Sequence, residues 1–318
     1  MKILLILPIS FLLNIFIKKP KFNPFIFTKK LYFSFRNKIQ KYYKNNILDF
    51  IIGTLFSIII MAISFLIPFF ILMQLYKLYF IVGLLFELFL CYIVIGIRKP
   101  IEVSYEIFNN LKNEEVAKEI LKENTKIDID NTDEIIKNTI EYTSISIAQD
   151  YIYTSIFLLL GGAPLCILYK TIDTLSSSSS NSIYLDEDKT ENIFDIFNIK
   201  LCYIIDIIPS IFTSLIYVLT SILFKYEYKN ALLILKRDGK KNKDRLKASI
   251  AGALNIELGG EYMKDGDIYH REIIGDYIED LEPYHIKKAN KLILTSAIFS
   301  LAILIIIKLI IMLFSIIF

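Results

Sequence analysis

FIIGTLFSIIIMAISFLIPFFILM (50–73), QLYKL (74–78) and YFIVGLLFELFLCYIVIGI (79–97) follow one another without interruption. A helix needs about 20 apolar residues to cross the hydrocarbon core of a bilayer. Two such runs joined by five residues predict a helical hairpin through a membrane, because so much contiguous Ile, Leu and Phe exposed to water would drive aggregation. Outward from this pair, the runs 152–169, 201–224 and 292–318 have similar length and character. Residues 1–17 form a shorter apolar run that contains Pro8 and ends in Lys18-Lys19. A removable signal carries charge before its apolar stretch and small residues after it. Residues 1–17 therefore read as a retained membrane helix or re-entrant segment.

The composition agrees. Of 318 residues 54% are hydrophobic, the mean hydropathy is +0.50, and Trp is absent. The net charge of +3 supplies no bulk field for nucleic acid. The basic residues fall in blocks: nine Lys and Arg in 18–44, seven in 98–151 and fourteen in 225–291, against three, with six acids, in 170–200. The positive-inside bias then places the three basic segments in the cytoplasm and the acidic, Ser-rich segment outside. The expectation is an all-α, polytopic integral membrane protein with five to six transmembrane helices and two helical cytoplasmic segments. Its parts are 1–97, with a basic loop at 18–46, then 98–151, 152–224 with an outer loop at 170–200, 225–291 and 292–318. The cell membrane is the expected location.

Within 98–151, Asn113 followed by Glu114-Glu115 reads as a helix N-cap with acids in the first turn. A second helix is predicted from Thr132 toward the membrane. Cys91, Cys166 and Cys202 fit neither a disulfide framework nor a zinc site and read as packing thiols. His270 and His285 lack metal-ligand spacing and read as surface residues. Lys308 reads as a snorkelling lysine, and Glu87 as a helix–helix hydrogen-bonding group. Asp206 lies in an apolar run and is either a site residue or a headgroup-level carboxylate. Glu141 and Asp150 are nine residues apart and point to different helix faces unless the helix breaks. The basic residues of 240–247 read as a solvated loop, with phosphate or anionic lipid as the alternative. Gly259-Gly260 reads as a tight turn.

Gly161-Gly162-Ala163-Pro164, then Tyr169-Lys170 and Asp173-Thr174-Leu175, precede Ala251-Gly252-Ala253-Leu254 and Leu258-Gly259-Gly260. Asn23-Pro24-Phe25, Pro209, Thr213, Arg237-Asp238, Tyr262, Gly266 and Gly275 complete a colinear series. This order resembles the CobD/CbiB family of cobalamin-biosynthesis membrane proteins. The resemblance implies ATP-dependent joining of a carboxylate of adenosylcobyric acid, a corrinoid, to the amine of aminopropanol or its phosphate. It further implies ATP and Mg²⁺, a lipid bilayer, and a membrane complex with other proteins of the pathway. Asp173, Asp206 and Glu141 become the candidate catalytic residues, with Asp173 also the candidate metal ligand. Asn242, Tyr169, Lys170, Gly259 and Gly260 become the candidate substrate contacts. No Walker-type loop is present, so a nucleotide site here is non-standard.

Several polar positions of the family pattern are replaced. Its Glu-x3-Glu-Asn-x2-Asp-Gly signature falls on Glu141, Ile145, Ser146, Gln149 and Asp150. Its Asp-Asp pair becomes Cys202-Tyr203, an Arg becomes Ile211, and a Ser-Pro-Asn-Ala-Gly run becomes Lys240-Lys241-Asn242-Lys243-Asp244. Ile and Cys cannot supply the hard oxygen ligands that Mg²⁺ takes. A catalytically inactive relative acting as a membrane scaffold or signalling modulator is therefore the alternative. A transporter ranks last, because the halves show no inverted repeat.

Overall fold

The computed structural model describes residues 2–18, 24–42, 46–129, 131–179, 192–264 and 267–317. Asn23, Gly266 and the centre of the acidic Ser-rich stretch lie outside the described residues. The chain is helical almost throughout. Five stretches are long and apolar enough to cross a membrane: Asn46–Leu78, Phe80–Asn110, Thr132–Ser177, Ile193–Leu223 and Tyr284–Ser315. An all-α polytopic membrane protein is what the chain folds into.

Helices α1 (Lys2–Phe16) and α2 (Pro24–Tyr42) precede the long helix α3 (Asn46–Leu78). After an extended Tyr79, α4 (Phe80–Val94) runs back along α3. Their outward faces carry exposed Leu55, Ile59, Phe70, Leu85 and Phe89, as a lipid environment allows. Lys2 of α1 meets Glu87 at mid-length of α4, while Tyr92 donates to the Lys18 carbonyl (2.9 Å), so α1 lies parallel to α4. The end of the α3–α4 pair where Gly53 and Gly96 lie is here termed the basic end.

Helices α5 (Arg98–Asn110), α6 (Glu114–Thr125) and α7 (Thr132–Ile147) follow at this end. Asn131 caps α7 by accepting from the Glu134 N–H (2.8 Å). Asn113, expected to do the same for α6, makes no side-chain cap. Instead Glu114 turns its carboxylate to the Thr132 hydroxyl. From α7 the chain passes through a π-helical turn, Ala148–Tyr153, whose Asp150 carbonyl accepts from the Gly96 N–H (2.9 Å).

Helix α8 (Thr154–Ser179) corrects the expected crossing at 152–169. Gly161 (φ −142°, ψ 18°) and Gly162 (φ 70°, ψ −166°) leave helical geometry and reverse the chain. The proof lies in the side chains. Tyr169 stacks on Phe157 with ring centroids 4.5 Å apart, although twelve residues of straight helix separate them by about 18 Å. Lys170 pairs with Asp150, twenty residues earlier, or about 30 Å along a straight helix. The segment enters from the basic end, turns beside Glu87, and returns. Two consecutive glycines make the reversal possible, since Gly162 holds a positive φ that costs other residues strain. A Cβ there would stand 2.7 Å from Glu87 Oε1.

Lys170 and Asp173 are consequently on the same side as Asp150, and the segment 170–200 does not begin on the opposite face as the charge count suggested. Phe194, in a 3₁₀ turn (Ile193–Asp195) before helix α9 (Ile196–Leu223), lies directly against Gly53. Asp195 accepts from Tyr32 (2.9 Å) and pairs with Arg36 (2.5 Å), fixing α2 to the same end. Further on, Tyr217 donates to the Ser144 carbonyl (3.0 Å), and the Thr220 and Ser296 hydroxyls are 2.6 Å apart. Both ends of α9 thus stay at the basic end, whereas 201–224 was expected to cross. The apolar stripe that suggested a crossing, Ile204, Ile208, Ile211, Leu215 and Leu219, faces outward, and the polar face is buried.

Helices α10 (Tyr228–Asp238) and α11 (Asn242–Leu254) pack on α9. A small antiparallel pair, β1 (Leu258–Lys264) and β2 (Asp267–Ile274), adds the one sheet among the described residues. Helix α12 (Tyr284–Ile317) starts at the basic end, where Asn290 Oδ1 accepts from Ser104 (3.0 Å), and runs away from it. The three basic segments do gather on one side, as the charge pattern required. They do so because α8 turns back and α9 stays, not because crossings alternate.

Candidate functional site

At the base of the α8 hairpin, polar side chains from five elements meet. Lys170 on the returning arm places its ammonium 2.6 Å from Asp173 Oδ2, one turn further on, and against Asp150 Oδ1 on the entering arm. Tyr169, buried on the stack with Phe157, donates to Asp206 Oδ1 (3.1 Å). Gln149 Nε2 reaches Asp206 Oδ2 at 3.5 Å, and the Cys202 thiol, one turn before Asp206 on α9, lies 3.7 Å from the same oxygen. The π-helical turn makes this possible. Its wider winding re-aims Gln149 and Asp150 toward α8 and α9, a use such turns often have at functional sites.

Asn242 opens α11 beside this group. Its Nδ2 donates to the Tyr203 carbonyl (2.7 Å), and its Oδ1 accepts from Arg245 (2.8 Å) with the Ser210 hydroxyl 3.2 Å away. The charges of Asp173 and Lys243 are close enough to act on Asp206. Lys29 of α2 also faces the group. Burial pulls its ammonium below the ordinary lysine range, and the nearby Asp173 carboxylate opposes that pull. The cluster thus holds three carboxylates, Asp150, Asp173 and Asp206, ringed by Lys29, Lys170, Lys243 and Arg245. Asp206 is 5% exposed, while the Asp150 side chain is 34% exposed and is the member of the three nearest to solvent.

Five of the residues selected from sequence, Asp173, Asp206, Tyr169, Lys170 and Asn242, come together here. The other three form a separate and sealed group. Glu141 Oε1 accepts from the Gly259 N–H (2.7 Å), and Oε2 pairs with Arg271 (2.7 Å), whose second nitrogen reaches Asn138 Oδ1 (3.2 Å). Gly259 (φ +81°) sits at an irregularity in the β1–β2 register, and a Cβ there would be 2.2 Å from the Glu272 carbonyl oxygen. Gly259 and Gly260 thus shape the strand. Of the remaining sequence expectations, Glu87 does hydrogen-bond between helices, accepting from Tyr76 (2.5 Å) and from the Ala163 N–H at the hairpin tip (3.2 Å).

The fit of a divalent cation follows from the donor set. Among the described residues no three His, Cys, Asp or Glu side chains converge to hold one. The two carboxylates nearest each other, Asp150 and Asp173, already share the Lys170 ammonium. A Mg²⁺ ion held by the protein alone does not fit this arrangement.

Sequence reasoning passed over Ser210 and Lys29, met Gln149 and Asp150 only as positions of the family signature, and read Arg245 only within the basic run 240–247. One signal was available. Asp150 and Lys170 lie at similar distances before and after Gly161-Gly162, which pairs them if the chain turns there.

Residues 7–293 match the family model described as CobD/Cbib protein. The chain belongs to the CobD/Cbib family. Among curated relatives, it is 30% identical over 269 residues to a protein of Leptospira interrogans named cobalamin biosynthesis protein CobD, spanning 82% of this chain and 84% of that one. Proteins of the same name from Clostridium perfringens (30% over 174 residues; 52% and 53%) and Streptococcus sanguinis (31% over 168 residues; 52% of each) are also similar. No solved structure matches. Membership of this family supports a role in cobalamin biosynthesis, with a corrinoid as the substrate that the role implies.

Proposed function

We propose that the chain is a ligase of the cell membrane that attaches aminopropanol, or its phosphate, to adenosylcobyric acid with consumption of ATP. The observation that supports this reading is the convergence of Tyr169, Lys170 and Asp173 with Asp206 and Asn242. These come from separate motif blocks and meet in one cluster, with the partly exposed Asp150 beside them. Amide formation needs an activated carboxylate and an amine free of its proton. In this reading the substrate carboxylate takes the γ-phosphoryl group of ATP, releasing ADP. The amine nitrogen then attacks the acyl carbon, phosphate leaves, and the proton passes to Asp206. Lys29, Lys243 and Arg245 offer the positive charge that a transferring phosphoryl requires. The acidic pair at Lys170 attracts the incoming ammonium. Glu141 serves by holding β1 and β2 on α7.

The test is complementation of a cell that lacks its own enzyme of this type and is supplied with cobyric acid. Rescue by the wild-type chain and its loss in Asp206→Asn are expected. No corrinoid rescue, with the protein shown to be in the membrane, would end the proposal. A second reading, a catalytically silent relative, draws on Ile145, Cys202 and Ile211 at polar family positions. ATP turnover dependent on corrinoid and amine would remove it, and a partner protein retained without either ligand would favour it.

A further inference from the structure

The geometry points to Lys170 as the built-in cation of the cluster, occupying the place between Asp150 and Asp173 that a divalent metal would otherwise take. Its Nζ lies 2.6 Å from Asp173 Oδ2 and within bonding distance of Asp150 Oδ1. The ammonium side chain is 17% exposed and that of Asp173 11%, so the pairing is formed largely out of water. An ammonium donates to carboxylate oxygens from a fixed covalent tether, whereas Mg²⁺ demands near-octahedral oxygen ligation and gives up its water reluctantly. With Lys170 in place, a second cation would have to displace an attached charge or sit beside it. Both are opposed electrostatically at such short range.

The arrangement depends on the hairpin. Asp150 stands where the family pattern has Gly, on the entering arm, and faces Lys170 only because the chain reverses at Gly161-Gly162. The consequence is specific: this cluster offers no divalent-metal site of its own, and removing the lysine charge creates one. Asp150 and Asp173, drawn to one ammonium, would then lie close together without it, a pair of hard oxygen ligands of the kind Mg²⁺ and Mn²⁺ take. A role for this pairing in the reaction rests on the ligase reading. The metal measurement is made without corrinoid or nucleotide, so its failure and failure of the complementation are separate results.

Mn²⁺ is titrated into the full-length protein in detergent and followed by electron paramagnetic resonance. Wild type is expected to take up no more than an empty-detergent control. Lys170→Met is expected to gain a site at least about tenfold tighter, equivalent to about 1.4 kcal/mol, and Lys170→Met with Asp173→Asn to lose it. Stoichiometric Mn²⁺ uptake by wild type would overturn the inference. So would a Lys170→Met protein that elutes as a folded species and binds no more than wild type. Should Lys170→Met fail to fold, Lys170→Arg replaces it beside wild type. Neither is then expected to bind, and uptake by either refutes the assignment.

Discussion

Glu141 and Asp150 are nine residues apart on what is nearly one helix, and they end in opposite circumstances. Glu141 is fully buried, and both of its oxygens are taken, one by Arg271 and one by the Gly259 N–H. Asp150 pairs with Lys170, but its side chain stays 34% exposed. The Glu141 carboxylate is enclosed by α7, β1 and β2. That of Asp150 pairs across the two arms of a hairpin and still reaches solvent. A charge that is sealed and saturated can hold parts together but cannot meet a substrate, while one that is paired and open can exchange its partner. Acidic residues that are equivalent by position in a helix are sorted here by what the distant chain brings to them.

The contrast is sharpest in stability. Arg271→Met leaves Glu141 buried without its partner, and removing one member of a buried pair costs about 3–5 kcal/mol. Thermal unfolding in detergent should show this loss, and Glu141→Met added to Arg271→Met should recover part of it. An unchanged transition would erase the distinction between the two carboxylates. Next in size comes Gly162→Ala at the hairpin tip. A positive φ imposed on a residue with a Cβ costs about 1–3 kcal/mol, and the methyl group would also push against Glu87 Oε1. The unfolding transition should fall and corrinoid rescue should weaken together, because the arms carry Asp150 and Lys170. Asp150→Asn is expected to change stability by no more than about 1 kcal/mol, as partly exposed ion pairs do, while rescue drops. A large stability loss there would put Asp150 in the same category as Glu141.

How far the sequence reached can be judged from these residues. Helices α3 and α4 were legible because each is apolar throughout for the length a bilayer requires. Helix α7 was legible because Thr132, Asp133 and Glu134 carry start signals of their own, although its cap, Asn131, was not singled out. The reversal in α8 was not. Residues 152–169 have the length and hydropathy of a crossing, and a helical period says nothing about where an axis turns. The pairs Lys170–Asp150 and Arg271–Glu141 are 20 and 130 residues apart, and no local pattern encodes them. Motif resemblance singled out Tyr169, Lys170, Asp173, Asp206 and Asn242, whose side chains lie together, and Glu141, which lies apart from them. A motif reports that a residue matters without saying what it touches.

The smallest expected effect concerns a third carboxylate, intermediate between the two. Asp238, at the end of α10, is held below the usual carboxylate range, chiefly by its bonds from Arg237, with burial opposing and the Gly275 N–H assisting. A depressed folded-state value means that its contribution is present above the unfolded value, near about 4. That contribution is lost as pH falls through the folded value. Protection of the Gly275 amide against hydrogen exchange, taken relative to its intrinsic rate at each pH, should fall below about pH 4 and should not change with acid in Asp238→Asn. Equal acid sensitivity in both proteins would remove Asp238 from the explanation.

The Gly161-Gly162 reversal beside Glu87 also works as a ruler. The carboxylate holds the first N–H of the returning arm where no water is at hand to do so, which fixes the depth of the tip from which both arms are measured. Each arm therefore has one permitted phase. One residue added between the tip and Asp150, or between the tip and Lys170, would turn that side chain by about 100° around its axis. The two charges would then face different neighbours, although every helix remained intact. Segment length between 150 and 170 is thus as strict a requirement as the identity of the residues at its ends.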